Sequence, residues 1–280
     1  LKMLSNESTA ARGNVVSSIG MLFAVLVTVI EIVNPVLVLS AVLLGALIGS
    51  AFALKVKMTS IPEMVALFNG FGGLSSFFLA WSEFNNLSAI SLIMILSFMT
   101  VLIGGITFSG SVIAFFKLSE ILKGNNNFLN KASRWFLIFS FLFVIIAVIQ
   151  VIAGGLGYEF IDLALIQKIF IALLIISLFA GLAFVLPIGG GDMPVVISLL
   201  NSFSGIAAAS AGVLLTNTAL IVAGCLVGAS GLVLTLIMAK SMNRTLYNIF
   251  FVGYESSGSS AAEIDGEIKP ISAEDAYLVV

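Results

Sequence analysis

Eight long apolar segments dominate this chain and limit what it can fold into. A helix needs roughly 20 apolar residues to cross the hydrocarbon core of a bilayer. The runs cover approximately residues 15–33, 36–54, 60–81, 87–117, 134–154, 164–187, 192–213 and 218–240. The composition agrees, because 60% of the residues are hydrophobic and only 9% are charged, whereas soluble domains have about 25% charged residues. The sequence therefore predicts an all-α polytopic membrane protein, a bundle of about eight transmembrane helices.

Two of the predicted helices have nearly the same pattern of residues. Residues 61–80, IPEMVALFNGFGGLSSFFLA, align without a gap with residues 193–212, MPVVISLLNSFSGIAAASAG, so that Asn69 matches Asn201. Steps of four and three residues from the proline of each copy reach small or polar residues, which share one helical face. An amide without a partner is costly in hydrocarbon. The pattern thus predicts a parallel internal repeat, with the two polar faces inside the bundle.

The distribution of basic residues predicts the orientation. The sequence has 12 Lys and Arg residues, and with eight spans all but Lys168 fall on one side. Basic residues accumulate in cytoplasmic loops, so both termini are expected in the cytoplasm. Asn69 and Asn201 then lie ~14 Å inside their helices, near the midplane of a ~30 Å core.

Amides and carboxylates of the repeated helices are candidates for a proton pathway. Asn69 and Asn201 can each donate and accept hydrogen bonds, and so can hold a file of water molecules. Glu63 and Asp192 lie in first turns, where the helix dipole favours a carboxylate. Each is either a simple N-terminal charge or a proton antenna at the cytoplasmic mouth. Asp192 is the stronger candidate, because it follows the flexible segment Gly189–Gly191.

Hydroxyl groups form a second set of candidates. Ser198 and Ser202 lie on or near the face of Asn201, and residues 107–111, TFSGS, form another hydroxyl cluster. Hydroxyls in membrane helices commonly bond to their own backbone, so that local role is favoured for each one.

Small residues spaced four apart predict helix packing. Gly45 and Gly49, and likewise Gly224 and Gly228, have the spacing that lets membrane helices approach closely. We interpret both pairs as packing faces.

Residue content excludes several other kinds of site. The chain has no histidine and a single cysteine, Cys225, which leaves no disulfide and no cysteine-based metal site. The glycine-rich motifs of nucleotide-binding loops are missing from the sequence. Neither a metal nor a nucleic acid partner is expected.

The C-terminal part has a different composition. After Arg244 the chain passes through an acidic Gly/Ser-rich segment, and Ser272 with Asp275 has the spacing of a capping box that opens a helix. We predict a transmembrane domain at 1–244 and, at 245–280, a linker with the start of a soluble domain. Because the chain opens on Leu1, we expect its amino terminus to be cut or processed. Because this helix is unfinished at Val280, we expect the rest of the soluble domain to be removed or encoded separately.

Several segments resemble the beta subunit of the proton-translocating NAD(P) transhydrogenase family. The longest are GDMPVVISLLNSFSGIAAASAGVLLTN and LIVAGCLVGASGLVLTLIMAKSMNRTLYNIFFVG. IPEMVALFNGFGGLSSF, GITFSGSVIAFFKL and EIKPISAEDAYLVV also match, in the same order and spacing. The resemblance extends over essentially the whole chain.

This resemblance implies a bacterial inner-membrane domain that couples inward proton movement to hydride transfer from NADH to NADP⁺. In that family NADP(H) and NAD(H) bind to soluble domains, so no cofactor is expected in this chain, and 245–280 corresponds to the start of the NADP(H)-binding domain. The implied partners are an alpha subunit and, in a homodimer, a second alpha-beta unit.

Carried over by position, the resemblance places Asn201 and Asp192 on the proton route, with Ser198 on the same face. Asn69 occupies a position that is often histidine. Some members keep asparagine there and have a histidine on a helix of the alpha subunit; the absence of histidine from this chain fits that arrangement, in which the alpha subunit supplies the protonatable group. The residues at the junction with the NADP(H) domain are Lys240, Asn243 and Arg244.

Two alternatives remain open. Internal repeats, glycine-rich segments and polar midplane residues are also typical of secondary transporters, although the small neutral face fits few solutes. A purely structural membrane anchor for a soluble domain is the other alternative, and it predicts that both asparagines tolerate apolar replacement.

Overall fold

The protein is all-helical throughout the residues that the structure, a computed structural model, describes: 7–31, 35–86, 93–122, 127–156 and 163–249. The long helices are α1 (Glu7–Glu31), α2 (Pro35–Lys55), α3 (Ile61–Asn85), α4 (Ile93–Leu118), α5 (Asn127–Gly155), α6 (Leu163–Val185), α7 (Met193–Leu214) and α8 (Thr218–Ser241). All eight contain a segment long and apolar enough to cross a membrane. The predicted class, a polytopic bundle of membrane helices, is confirmed.

The helix bounds agree with the predicted runs to within two residues, except at the N-termini of α1, α4 and α5 and at the end of α3, which reaches Asn85 rather than residue 81. Helix α1 begins at Glu7 rather than at residue 15, and α5 begins at Asn127 rather than at residue 134. In both cases the additional turns are polar. Hydropathy marks the part of a helix that enters hydrocarbon, whereas the backbone hydrogen bonds that define the helix continue into polar sequence. The start predicted for the fourth run, residues 87–92, lies outside the described residues.

The chain divides into two compact units, Leu1–Met58 and Thr59–Val280. The first unit contains α1 and α2, and its apolar side chains point outward, with Val36 77% and Leu54 88% exposed. Such a surface is suited to lipid or to another membrane helix. The predicted domain boundary at residue 244 stays a prediction, because residues 250–280 of the predicted linker lie outside the described part of the chain.

The second unit is built around α4, which packs against α3, α6 and α7. Glycines bring the backbones together. A Cβ added to Gly73 would lie 2.8 Å from the Cβ of Thr107, and one added to Gly104 would lie 2.8 Å from the carbonyl oxygen of Gly73. Close approach through small residues is the usual basis of helix association in membranes.

Helices α7 and α8 approach each other in the same way. A Cβ on Gly205 would lie 2.7 Å from the Cα of Gly228, and a Cβ on Gly224 would lie 2.7 Å from the carbonyl oxygen of Gly205. Gly224 and Gly228 therefore form a packing face, as their spacing predicts. A Cβ on Gly45 or Gly49 would meet no atom of its own unit within 4 Å, so that pair does not pack α2 against α1.

Two apolar clusters occupy opposite ends of the second unit. One cluster contains Phe84 stacked on Phe170, with ring centroids 3.8 Å apart. The other surrounds the start of α7 and includes Ala66, Ile197 and Leu200. The middle turns of α3, α4 and α7 lie between these clusters, and they contain Asn69 and Asn201 as well as the glycines Gly73, Gly104 and Gly205.

Hydrogen bonds at the helix ends show the direction of the repeated helices. Glu63, in the first turn of α3, accepts from Ser119 just after α4, and Lys117, in the last turn of α4, donates to backbone carbonyls that lead into α7. The first turns of α3 and α7 thus lie at one end of the second unit, called here the Asp192 end. Whether the two helices are equivalent copies of a structural repeat stays a prediction.

Candidate functional site

Asn69 connects three helices at the middle of the second unit. Its Nδ2 donates to the Oγ of Ser111 on α4 at 3.1 Å. Its Oδ1 accepts from the Oγ of Ser204 on α7 at 2.5 Å. Residue 69 is the ninth residue of α3, so at 1.5 Å per residue the amide lies ~12 Å inside the helix. We call Asn69, Ser111 and Ser204 the polar cluster.

Ser204 is a residue that the sequence pattern did not single out. Its hydroxyl also lies 3.0 Å from the carbonyl oxygen of Asn201. A hydroxyl has one proton, and the amide oxygen of Asn69 is the nearer acceptor. Ser204 follows Asn201 by three residues, so the two side chains lie on one helical face. This spacing could have identified Ser204 from the sequence.

Asn201 itself is half-buried, and no hydrogen bond joins its side chain to another described residue. The two repeated asparagines therefore differ in their surroundings. The amide of Asn69 is fixed at both ends, whereas the amide of Asn201 has donors and an acceptor available for water or for a group from another chain.

Ser198 and Ser202 lie on a different side of α7 from the polar cluster. Both are buried against α8, where Ser198 donates to the carbonyl oxygen of Gly231 at 3.2 Å and Ser202 to that of Gly228 at 2.7 Å. These bonds join the α7 and α8 backbones at the glycine contact. A place for the two serines in a proton pathway stays a prediction.

The hydroxyl cluster on α4 is divided. Thr107 and Ser109 donate to the carbonyl oxygens of Ile103 and Gly105, four residues earlier in the same helix, and so have the local role predicted for them. Ser111 accepts from Asn69 and thereby joins two helices. The residue type alone does not distinguish these roles, because the partner depends on how the helix is rotated.

An apolar layer separates the polar cluster from the Asp192 end. Along α3, the fully buried Ala66 lies between Glu63 and Asn69. Along α7, Ile197 and Leu200 occupy the corresponding turns and belong to the same apolar cluster. The carboxylates and the amides are thus in separate polar regions in this conformation.

Asp192 occupies the N-cap position of α7, but its side chain makes no capping hydrogen bond. Its Oδ1 instead lies 4.0 Å from the Nε of Arg244, with side chains 15% and 49% exposed. Arg244 reaches this position because Asn243 adopts a left-handed conformation, φ 53°, that ends α8. Lys240 lies in the last turn of α8 and is exposed.

The charged groups at this end do not converge on one point: Asp192 faces Arg244, Glu63 accepts from Ser119, and Lys240 is exposed. No group of three or more His, Cys, Asp or Glu side chains suited to a metal ion occurs in the described ranges. Lys117 is a second residue that sequence reasoning did not place in the site, although it contacts the connection that leads to Asp192.

The Asn69–Ser204 hydrogen bond predicts a measurable contribution to stability. Ser204→Ala is expected to cost about 1 kcal/mol, the scale of interhelical hydrogen bonds in membranes, and to lower the Tm in detergent by roughly 2–4 °C. Ser210→Ala is the matched control, because the Ser210 hydroxyl bonds within its own helix. Equal Tm values for the two variants would contradict a stabilising bond between α3 and α7.

The fold and the polar cluster define a class: a polytopic helical membrane protein with hydrogen-bonded polar residues in its interior. The family model described as NAD(P) transhydrogenase beta subunit matches residues 1–280. Two curated relatives, one from Rhodospirillum rubrum and one from a designated strain of that species, are named NAD(P) transhydrogenase subunit beta. Each is 34% identical to this chain over 295 residues, which cover 100% of this chain and 61% of the relative.

The chain therefore belongs to the NAD(P) transhydrogenase beta subunit family. It spans about three fifths of the length of the curated relatives that it matches, 61% in each case.

Proposed function

We propose that this chain is the membrane-embedded, proton-conducting part of an NAD(P) transhydrogenase, and that it couples inward proton translocation to hydride transfer from NADH to NADP⁺. Besides the family membership, one observation carries the proposal. The interior amide of Asn69 is hydrogen-bonded to hydroxyls of two other helices, Ser111 at 3.1 Å and Ser204 at 2.5 Å. A polar side chain inside a membrane bundle, bonded to two other helices, is a candidate functional position.

The proposed pathway has two polar regions with a closed layer between them. Protons enter or leave at the Asp192 end, where Glu63 and Asp192 hold water, and they pass the middle of the bundle beside Asn69 and Asn201. The apolar layer blocks this route in the present conformation. Opening it requires a second arrangement of α3 against α7, and protonation shifts the balance between the two arrangements.

Coupling to the nucleotides follows from the same two arrangements. Asp192, at the start of α7, lies 4.0 Å from Arg244. Movement of α7 therefore changes the position of the chain at the end of α8, which includes Lys240, Asn243 and Arg244. A soluble NADP(H)-binding domain beyond that segment would sense the change. Reciprocity requires that its nucleotide state in turn alter proton access.

The remaining components are assigned by the same proposal. NADP(H) and NAD(H) bind to soluble domains of the complete enzyme. An alpha subunit is the partner; its membrane helix supplies a histidine next to Asn201, whose side chain has no hydrogen-bond partner among the described residues. The assembly is a homodimer of alpha-beta units in a bacterial inner membrane, with both termini of this chain in the cytoplasm.

Asn201→Leu tests the pathway in the complete enzyme reconstituted into liposomes. We expect proton-coupled turnover to fall at least ~10-fold, corresponding to about 1.4 kcal/mol, with hydride exchange between the soluble domains unchanged. Asn85→Leu is the matched control, because Asn85 is the exposed last residue of α3. Loss of both activities would remove Asn201 from the pathway, and wild-type turnover in Asn201→Leu would support a structural anchor instead.

A further inference from the structure

The amino group of Lys117 is bound by the end of another helix. Lys117 lies in the last turn of α4, and its Nζ donates to the carbonyl oxygen of Val185 at 3.2 Å and to those of Leu186 and Ile188. A lysine ammonium has three donors, so all of them are used. The three acceptors belong to the last residue of α6 and to the connection that follows it.

Of these three carbonyls, that of Val185 also accepts from the N–H of Ile188 in the connection at 3.2 Å. The last carbonyls of any helix have no donor within it, and Pro187 has no N–H with which to extend the hydrogen bonding. The C-terminal end of a helix carries partial negative charge and favours a cation. Lys117 therefore caps α6 from α4, and it reaches into the connection between α6 and α7.

Beyond Ile188 the connection is a single turn of 3-10 helix, Gly190–Asp192, in which the N–H of Asp192 donates to the carbonyl oxygen of Gly189 at 3.1 Å. Gly189–Gly191 follow, and a Cβ added to Gly190 or Gly191 would meet no atom within 4 Å. Asp192 comes next and faces Arg244 across 4.0 Å. The Arg244 side chain is 49% exposed, so this ion pair contributes little stability. Lys117 fixes the segment from which the turn that leads to Asp192 begins.

We propose that Lys117 is a positioning residue, which fixes the α6–α7 connection by its three hydrogen bonds and thereby holds Asp192 at the start of α7. The end of α4 is then a common attachment point, since Ser119 also donates to Glu63 of α3 at 3.1 Å. Only the consequence for proton movement rests on the proposed function. The structural part of the inference stands independently of it.

A cysteine introduced at residue 188 reports on this connection, because Ile188 is 2% exposed and a thiol there reacts only when the connection opens. Ile188→Cys is made in a Cys225→Ala background of the complete enzyme, and its rate of reaction with a water-soluble maleimide is measured. We expect Lys117→Met to raise that rate at least ~10-fold, since hydrogen bonds to a charged donor typically stabilise by enough for this factor. Lys117→Arg, which keeps the charge and several donors, is expected to restore a rate near that of the parent.

Two controls separate local release from general loss of structure. Lys168→Met makes the same change at an exposed lysine of α6 and should leave the rate of the Ile188→Cys reporter unaltered. A second reporter, Gly155→Cys, where an added Cβ meets no atom within 4 Å, should react at the same rate with and without Lys117→Met. If Lys117→Met does not fold, Lys117→Arg provides the test. A Lys117→Arg variant with an unchanged Tm but a ~10-fold faster reaction with the maleimide would overturn the proposal.

Equal maleimide rates for the parent and Lys117→Met would also overturn the proposal. A faster reaction accompanied by lower proton-coupled turnover would support both the positioning role and the proposed function. A faster reaction with unchanged proton coupling would support the positioning role alone and contradict the part of Asp192 in the pathway.

Discussion

Replacing Asn69 with leucine is expected to abolish proton-coupled turnover while leaving the fold intact. Leucine has the branched shape of asparagine but neither donates nor accepts, so the change removes both hydrogen bonds of the polar cluster, to Ser111 at 3.1 Å and to Ser204 at 2.5 Å. The two serines can turn to their own backbone carbonyls. The loss of stability should therefore be about 1 kcal/mol, whereas turnover should fall at least ~10-fold.

Two comparisons make this result specific. Asn69→His restores one donor and one acceptor at the same place and is expected to retain proton-coupled turnover. Asn85→Leu makes the same chemical change at an exposed helix end and should have no effect. Hydride transfer from NADH to NADP⁺ under an imposed pH gradient is the measurement. Normal turnover in Asn69→Leu would rule out the polar cluster as part of the pathway.

Replacing Gly205 with valine is expected to separate α7 from α8. A Cβ at this position would lie 2.7 Å from the Cα of Gly228 and 2.9 Å from the carbonyl oxygen of Gly224. These are backbone atoms, which cannot rotate away as a side chain can. Overpacking of this kind costs about 1–3 kcal/mol or more, so the Tm in detergent should fall by roughly 5–10 °C.

The matched control for this variant is Gly72→Val on α3, where an added Cβ meets no atom within 4 Å. Valine and glycine differ little in helix propensity, so the Tm of Gly72→Val should stay near that of the parent. Because α7 carries Asp192 and Asn201, Gly205→Val should also reduce proton-coupled turnover. A Tm shift of equal size in both variants would mean that the α7–α8 contact is not as close as described.

The helices themselves are predictable from the sequence, because a chain that crosses hydrocarbon must satisfy its backbone hydrogen bonds internally. Long apolar segments therefore form helices. The same signal misses the first turns of α1 and α5, since polar residues continue a helix beyond the bilayer. Small residues at a spacing of four identify the contact through Gly224 and Gly228. The same spacing does not reveal which helix the small residues contact. A Cβ added to Gly45 or Gly49, for example, would meet no atom of its own unit within 4 Å.

The candidate site is predictable only in part. An amide in the middle of an apolar helix is conspicuous in the sequence, but its partners depend on the rotation of neighbouring helices. Thus Ser204 and Ser111 contact Asn69, while Ser198 and Ser202 face the α8 backbone. The stripe of small residues on α7 serves mainly to pack against α8.

Lys117 illustrates a different limit. In the sequence it is one more basic residue at the end of an apolar run, and basic residues at such ends usually lie in water or among headgroups. Its three carbonyl partners lie 68 to 71 residues away in the chain. Only the packing of α4 against α6 brings the two ends together.

The number of protons moved per hydride transferred, measured in liposomes that contain the complete enzyme, tests the proposed proton conduction directly. A pH-sensitive dye inside the vesicles and nucleotide absorbance outside are recorded together, with an uncoupler as reference. We predict dye and absorbance changes of fixed ratio in the parent, and loss of the dye response in Asn69→Leu while the fold is retained. A dye response in Asn69→Leu equal to that of the parent would contradict proton conduction through this cluster.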